Sequence, residues 1–484
     1  MAKSMKVTQQ LINEIVQQVL DQKEIQAMRS RTNNHPANDS LRGRLGIFTT
    51  IDEAVSAAKK AFQYWRYLPL QQRGKIIEAI REVSRLKATE LAEMAHSETG
   101  FGRAECKTKK NLLVADKTPG IDFLEPSVHT GDNGLTLIER GPFGVIASIT
   151  PSTNPTATII NNTIGMIAGG NTIVFNVHPR AKKVSVFTIQ LINRTIQEMS
   201  GPADVITAIH EPTVESAQYL MKHPDIELLV VTGGAEVVRI AMASGKNTIC
   251  AGPGNPPVVV DETADIAQAA ENIIRGSSFD NNLVCCTEKE VFVVSNVAEQ
   301  LKAQMCMNDA FEVPHEDIDR LSNYIFTELG PPGKPGKINL KLVGQNASKI
   351  LQDCGFSVPN SVRVAIVEVP SSHNLVWTEQ MMPVLPIVRV NDVDEAIQMA
   401  LKAEHNFKHT AVVHSFHLPT MSKMAKVMDT SIFVKNAPSF SGLGFRGEGH
   451  TSFTIGTRTG EGLTTCLNFT RERRCTLAEH FRIV

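Results

Sequence analysis

The chain has 484 residues, 42% hydrophobic and 20% charged. These are ordinary proportions for a globular protein, with length for roughly two to four domains and a large core. Its 49 basic residues nearly cancel 50 acidic ones, a formal net charge of -1, which excludes the large basic excess of a nucleic-acid protein. Eight cysteines with no CxxC pair exclude a disulfide scaffold and a cysteine-based zinc module, and fit a reduced, cytoplasmic setting.

The first predicted element is a helix carrying a narrow apolar stripe, Leu11, Ile12, Ile15, Val16, Val19 and Leu20. Gln9, Gln10, Asn13, Glu14, Gln17 and Gln18 cover its other side. The polar run after it, with Asn33, Asn34, His35, Pro36 and Asn38, reads as a linker. A tethered amphipathic helix is either a docking peptide or an element that packs back on the main body. No secretory signal is expected, since an apolar h-region and a small-residue cleavage site are lacking.

Helical periodicity covers 52–62 and 71–95, and 137–149 reads as strand, turn, strand. Alternating units follow: strand 172–176 with helix 183–199, strand 205–208 with helix 214–222, strand 228–232 with helix 235–244. That alternation predicts an α/β fold with a parallel sheet and helices on its faces. The longest apolar stretch, 159–175, is interrupted by Asn161, Asn162, Thr163, glycines and Asn171, too polar for a membrane span. A second α/β segment is expected over 257–432. The tail, 451–484, has strand-like runs suited to packing on a neighbouring element or subunit.

Several motifs could carry chemistry. Thr232-Gly233-Gly234 lies where an apolar strand meets a helix start, where free amides favour a phosphate; a plain tight turn is the alternative. Gly442-Leu-Gly-Phe-Arg-Gly447 matches GxGxxG literally but opens no helix and sits in no βαβ unit, so it reads as a loop. Cys285 and Cys286 follow the polar turn 278–282 and precede a strand; a thiolate there could attack a carbonyl, and a buried core pair is the alternative. His405 and His409 have zincin spacing, but the helical frame is doubtful and the glutamate of HExxH is missing. A structural or substrate-side role is expected for them, and no metal.

Taken together, Ile149-Thr150-Pro151-Ser-Thr-Asn154-Pro155, then Thr232-Gly233-Gly234, then Cys285, then Glu379-Gln-Met-Met-Pro383 resemble the aldehyde dehydrogenase superfamily in order and spacing, from about residue 44 onward. The stretches Phe279-Asp-Asn-Asn-Leu, Met381-Met-Pro-Val-Leu-Pro386 and Thr430-Ser-Ile-Phe-Val-Lys-Asn436 are similar to one branch, the CoA-acylating aldehyde dehydrogenases of ethanolamine and propanediol utilisation. The resemblance implies that fold: a Rossmann-like cofactor domain without GxGxxG, an α/β catalytic domain and a small β oligomerisation element. It implies Cys285 as nucleophile, with Cys286 dispensable. Asn154 would join the Cys285 amide as oxyanion donor. Glu379 would hold the nicotinamide ribose, with Thr150, Pro151, His178, Pro179, Thr232, Gly233 and Gly234 around the cofactor.

Two departures matter. Hydrolytic members carry a glutamate base before a Pro-Val strand, whereas here the stretch is Cys250-Ala251-Gly-Pro-Gly-Asn-Pro-Pro257. Without that base, water attack should be slow, and a thiol such as CoA is the better acceptor. Where hydrolytic members place a lysine and a glutamate for the adenosine ribose, this chain has Asn176, Val177, His178 and Pro179, which leaves NAD and NADP both open. The expected reaction joins a short-chain aldehyde, propanal or acetaldehyde, to CoA with NAD as oxidant. The rivals are a hydrolytic enzyme and a non-catalytic scaffold. The expected plan is a targeting helix at 1–22, a linker at 23–44, a cofactor domain at 45–250 with 136–150 lending an oligomerisation hairpin, a catalytic domain at 251–435, and a return and tail at 436–484. By the same resemblance, residues 7–20 would bind a bacterial microcompartment shell protein, and the chain would form a homo-oligomer, dimer or tetramer.

Overall fold

The structure is a computed structural model and describes residues 45–484. The stripe at residues 7–20 lies outside the described residues. Two parallel sheets dominate. The first contains β1 (Ile47–Phe48), β4 (Val145–Ile149), β5 (Thr172–Asn176), β6 (Ile206–Ile209), β7 (Leu228–Thr232) and β8 (Thr248–Ala251), in the order β1-β6-β5-β4-β7-β8. The second contains β9 (Pro257–Val260), β10 (Glu290–Val294), β11 (Ala310–Glu312), β14 (Val364–Glu368), β15 (Val384–Val390), β16 (Thr410–His414) and β17 (Ile432–Lys435), in the order β11-β14-β15-β10-β9-β16-β17. Between β11 and β14 lies a small ribbon of β12 (Phe326–Glu328) and β13 (Lys337–Ile338); another, β18 (Ile455–Gly456) with β19 (Gly462–Leu463), follows β17.

Continuous apolar runs such as Val-Ile-Ala-Ser-Ile in β4 are buried at every position, as strands covered by helices on both faces must be. Helix Pro155–Ala168 is buried along its whole length. Its polar residues are satisfied inside the protein. Asn161 donates to Thr118 Oγ1 (3.0 Å), and Asn162 donates to Ser148 Oγ (3.1 Å) and accepts from Thr454 Oγ1 (2.9 Å). These bonds explain a segment that is nearly apolar enough for a membrane yet studded with asparagine. Among the described residues, no helix is long and apolar enough to cross a membrane.

The periodic stretch 71–95 divides into helices Leu70–Leu86 and Ala88–Thr99. Lys87, at φ -98° and ψ 6°, leaves the helical region and re-aims the chain. Leu91, Ala92 and Ala95 are thereby buried, although the 3.6-residue pattern runs on through the break.

The stretch 137–149 is strand, turn, strand, as its pattern predicts, but its two strands do not pair with each other. The first strand, β3 (Gly134–Pro142), pairs antiparallel with β2 (Ser127–Gly131) and β20 (Thr470–Ala478), whereas β4 pairs parallel with β5 and β7. The physical reason lies at the crossing. Pro142 has no amide to continue a ladder. The amides of Phe143 and Gly144 both go to Asn171 Oδ1, at 2.8 and 3.1 Å, so the chain passes from one sheet into the other. The tail thus packs on the chain itself, 470–478 on 134–142.

Candidate functional site

From β4, the first sheet runs to β5, β6 and β1 on one side and to β7 and β8 on the other. The strand order therefore reverses between β4 and β7, and the crevice beyond the carboxyl ends at such a switch point is where doubly wound sheets take a ligand. Thr150 and Pro151 follow β4; Thr232, Gly233 and Gly234 end β7. Ile149 stands beside Val231, so the two motifs expected to hold a cofactor are neighbours. Two features of the crevice suit a dinucleotide. The Thr150 hydroxyl is buried without a partner. Gly234 opens helix Ala235–Met242, and a Cβ placed there meets nothing within 4 Å. The Gly233 amide is already spent on the Ala251 carbonyl (3.1 Å), and Thr232 Oγ1 is shared with Thr454 Oγ1 (3.2 Å). His178, after the adjacent strand β5, accepts from the Arg180 amide on Nδ1 (3.1 Å) and caps its own short turn with Pro179.

The segment leading to Cys285 has unusual backbone. Asp280, Asn281 and Asn282 have φ of 50°, 55° and 64°, a left-handed run that costs most residues about 1–2 kcal/mol each and asparagine or aspartate least. Side chains over-determine it. Asp280 accepts from the Arg103 amide (2.7 Å) and from Lys107 Nζ (3.2 Å), and also pairs with Lys110. Asn281 accepts from Arg103 Nε (2.8 Å) and donates to the Gly344 carbonyl (2.8 Å). Asn282 donates to the carbonyls of Ser277 and Glu288, both at 2.8 Å. The Asp-Asn-Asn run is thus a backbone device, and the residue types themselves were its sequence signal.

The adjacent cysteines part company. Cys286 is fully buried, whereas Cys285 is partly exposed. Burial pushes the Cys285 thiol up to about 12; the Glu379 carboxylate adds to the shift and the Lys289 ammonium opposes it. Gly254 ties Cys285, Glu379 and His409 into one locale. Its amide donates to Glu379 Oε1 (3.4 Å). A Cβ on Gly254 would fall 2.6 Å from the Cys285 carbonyl oxygen and 3.0 Å from the His409 ring. Burial raises the Glu379 carboxyl, against Lys289 and the Gly254 amide. His405, at φ 58°, and Asn406 and Lys408, at 57° and 56°, are left-handed, so the His405/His409 spacing lies on a loop; His405 Nε2 meets the Trp377 carbonyl (2.9 Å). The 442–447 glycines also serve packing: a Cβ on Gly442 would strike Ile432 at 2.3 Å, and one on Gly447 the Ser441 carbonyl at 2.2 Å.

Asn154 stands at the N-cap position of helix Pro155–Ala168, makes no side-chain bond to the helix, and is buried. Its Oδ1 accepts from Lys110 Nζ (2.5 Å) and its Nδ2 reaches Thr153 Oγ1 (3.2 Å). Lys110 therefore joins Asn154 to Asp280 and so to the loop that carries Cys285. Reading the sequence for motifs misses Lys107, Lys110, Arg103, Gly254 and Lys289. One signal was available: on helix Ala104–Lys117, Lys107 and Lys110 share the buried stripe of Val114, at steps of three and four where apolar residues belong.

Comparison with known proteins agrees with this layout. The model of the aldehyde dehydrogenase family matches residues 34–313. An acetylating acetaldehyde dehydrogenase of Salmonella typhimurium is 46% identical over 479 residues, 99% of this chain and 100% of that protein. The solved propionaldehyde dehydrogenase from the fucose utilisation bacterial microcompartment of Clostridium phytofermentans is 45% identical, with a TM-score of 0.88 over 91% of this chain and 100% of that one. A Rhodopseudomonas palustris propionaldehyde dehydrogenase, solved with bound CoA and an acylated cysteine, is 43% identical with a TM-score of 0.87 over 90% of this chain and 98% of that one. These matches along nearly the whole length, on a fold whose cysteine-bearing loop is tied to the segment after β4, establish that the chain belongs to the aldehyde dehydrogenase family.

Proposed function

We propose that the protein converts a short-chain aldehyde and CoA to the acyl-CoA, with a nicotinamide dinucleotide as oxidant. Cys285 Sγ bonds to the aldehyde carbon after losing its proton, and negative charge passes to the former carbonyl oxygen. Asn154 Nδ2 and the Cys285 amide are the donors for that oxygen; one such donor is worth about 10²–10³ in rate. Glu379, Thr150, Pro151, Thr232, Gly234, His178 and Pro179 would hold the dinucleotide, which when bound supplies the acceptor for the hydride leaving the substrate carbon. A thioester on Cys285 results. The CoA thiolate attacks it, the same donors hold the second oxyanion, and collapse frees acyl-CoA and the Cys285 thiolate. The sum is aldehyde, CoA thiol and NAD+ giving acyl-CoA, NADH and a proton.

The observation that carries CoA rather than water as acceptor is the stretch 250–257. It reaches the Cys285 carbonyl at Gly254 and holds no carboxylate to activate water. The relatives named above as acetylating, or solved with CoA and an acylated cysteine, support the same reading. Asn176 is engaged by Ser216 Oγ (2.6 Å) and no acid follows it, so NADP is a candidate beside NAD, and a competition assay decides between them. Purified protein given propanal and NAD+, with and without CoA, tests the reaction. NADH that forms only with CoA, with propanoyl-CoA as product, is expected. Sustained turnover to propanoate without CoA would overturn the reading in favour of a hydrolytic enzyme.

The arm β2-β3-β20 supports assembly. β2 and β20 are exposed almost throughout, and a sheet left open on both faces calls for a partner; a dimer or tetramer is proposed. Residues 7–20 are proposed to dock on a microcompartment shell protein, as fits cargo that handles a volatile aldehyde; deletion of residues 1–22 should spare activity in solution and abolish encapsulation.

A further inference from the structure

We infer that Lys110 is a positioning residue for the reaction: it fixes which atom of the Asn154 amide faces the reacting oxygen. The inference rests on the reading of Asn154 as oxyanion donor. An asparagine amide has an acceptor end and a donor end, and a half-turn about its last bond exchanges them. A lysine ammonium offers only donors. Lys110 Nζ lies 2.5 Å from Asn154 Oδ1, so the oxygen must be the end that faces the lysine and Nδ2 must be the end that remains. That amide carries two hydrogens: one reaches Thr153 Oγ1 (3.2 Å), which leaves the other for a substrate oxygen.

The ammonium is itself pinned. Lys110 also pairs with Asp280, whose carboxylate is fully buried and takes the Arg103 amide on its other oxygen (2.7 Å). Lys107 Nζ adds a second cation at 3.2 Å and reaches the Thr153 carbonyl at the same distance. Burial alone would raise the Asp280 carboxyl, but the two ammonium groups outweigh it and hold it below the usual carboxylate range. Asp280 therefore stays charged and Lys110 stays in place. Because Asp280 stands five residues before Cys285, one buried ion group references both the amide donor and the nucleophile to the same point. A cation on Oδ1 also polarises the amide, so that its N–H is a stronger donor.

The test is a double-mutant cycle on kcat for the CoA-dependent reaction, using Lys110→Met, Asn154→Ala and the pair, with Lys110→Gln as the conservative variant. Asn154→Ala should lower kcat by about 10²–10³. Lys110→Met should lower it by roughly tenfold or more, with KM for the aldehyde within a few-fold. The pair should be no worse than Asn154→Ala, since the lysine acts through the amide. Lys110→Gln, which still offers a donor to Oδ1, should recover much of the loss. Losses that multiply in the pair, or a Lys110→Met enzyme with unaltered kcat, would overturn the inference while leaving the Asn154 reading intact. An Asn154→Ala enzyme with unaltered kcat would defeat that reading first. Should Lys110→Met fail to fold, the cycle is run with Lys110→Gln, whose smaller loss of kcat should vanish in the pair with Asn154→Ala. A loss that persists in that pair would refute the inference.

Discussion

Lys289 Nζ donates to the main-chain carbonyl of Asn282 at 2.8 Å and pairs with the side-chain oxygen of the same residue. Both residues are buried, and between them runs the loop that carries Cys285. Removing the ammonium leaves both buried acceptors of Asn282 without their donor, and an unsatisfied buried polar group costs about 1–3 kcal/mol. Lys289→Met should therefore destabilise the protein by about 1–3 kcal/mol, measured by urea unfolding. A loss under about 1 kcal/mol would show that the staple does not hold the loop.

The unequal exposure of the two cysteines separates their roles. Cys285→Ala should abolish turnover and the acyl adduct that mass spectrometry detects after aldehyde and NAD+ are added without CoA. Cys286→Ala should keep both within a few-fold, at a packing cost of about 1–2 kcal/mol. The reverse pattern would move the nucleophile by one residue.

In the free enzyme the Cys285 thiol, pushed up to about 12 by burial, is protonated at neutral pH, and only the thiolate is a good nucleophile toward iodoacetamide. Alkylation of Cys285 near pH 7.5 should lag behind that of exposed Cys306 and Cys475 and accelerate steadily above pH 9. Peptide mapping after timed labelling gives the rates. Rapid labelling at pH 7 would mean that the free enzyme already holds a thiolate.

Two glycines should respond oppositely to alanine. At Gly254 a Cβ would sit 2.6 Å from the Cys285 carbonyl, and a backbone atom yields only by moving Cys285 itself. Gly254→Ala should lower kcat at least about tenfold and stability by about 1–3 kcal/mol. At Gly234, with φ -64° and open space, alanine should leave the free protein as stable or more so and raise KM for the dinucleotide. Equal kinetic effects at both positions would contradict the geometry.

His414, buried on β16 with Nε2 unpartnered, is driven down to about 4 by burial alone. The folded form thus resists a proton that the unfolded chain accepts near pH 6.5. Between pH 6.5 and 4 the unfolded state binds more protons, so the contribution of this site to stability is complete above pH 6.5 and is lost as pH falls toward 4. His414→Leu should flatten that part of the stability profile, measured as urea midpoints from pH 7 to 4.5. An unchanged slope would assign the acid sensitivity elsewhere, His409 being the next candidate, since its pKa is likewise about 4.

Much of the parallel architecture was legible in the sequence because apolar runs and βα punctuation are local signals. Strands 172–176 and 228–232 and helix 214–222 fall where periodicity puts them. Long-range partners were not legible. Nothing local tells Glu139 that it will stand opposite Arg473, or Arg140 opposite Glu472, and so nothing in 137–149 shows that its two strands enter different sheets. The site shows the same division. Cys285, Asn154 and Glu379 stood out through motif order, whereas Lys110 and Lys289 look like ordinary solvated lysines until the fold buries them. The Asp280-Asn281-Asn282 run was visible as a motif, and only its left-handed backbone explains the residue types.

Thr136 and Thr476 meet across the arm at 3.0 Å, 340 residues apart in the chain. During synthesis β3 emerges early and waits, its ladder to β20 unmade, until both large sheets have been translated. The arm is therefore a record of completion: a ribosome that stalls anywhere in the second sheet leaves β3 without its last strand. If subunits associate through that arm, truncated chains are shut out of the assembly by topology alone, before any of them reaches a neighbour.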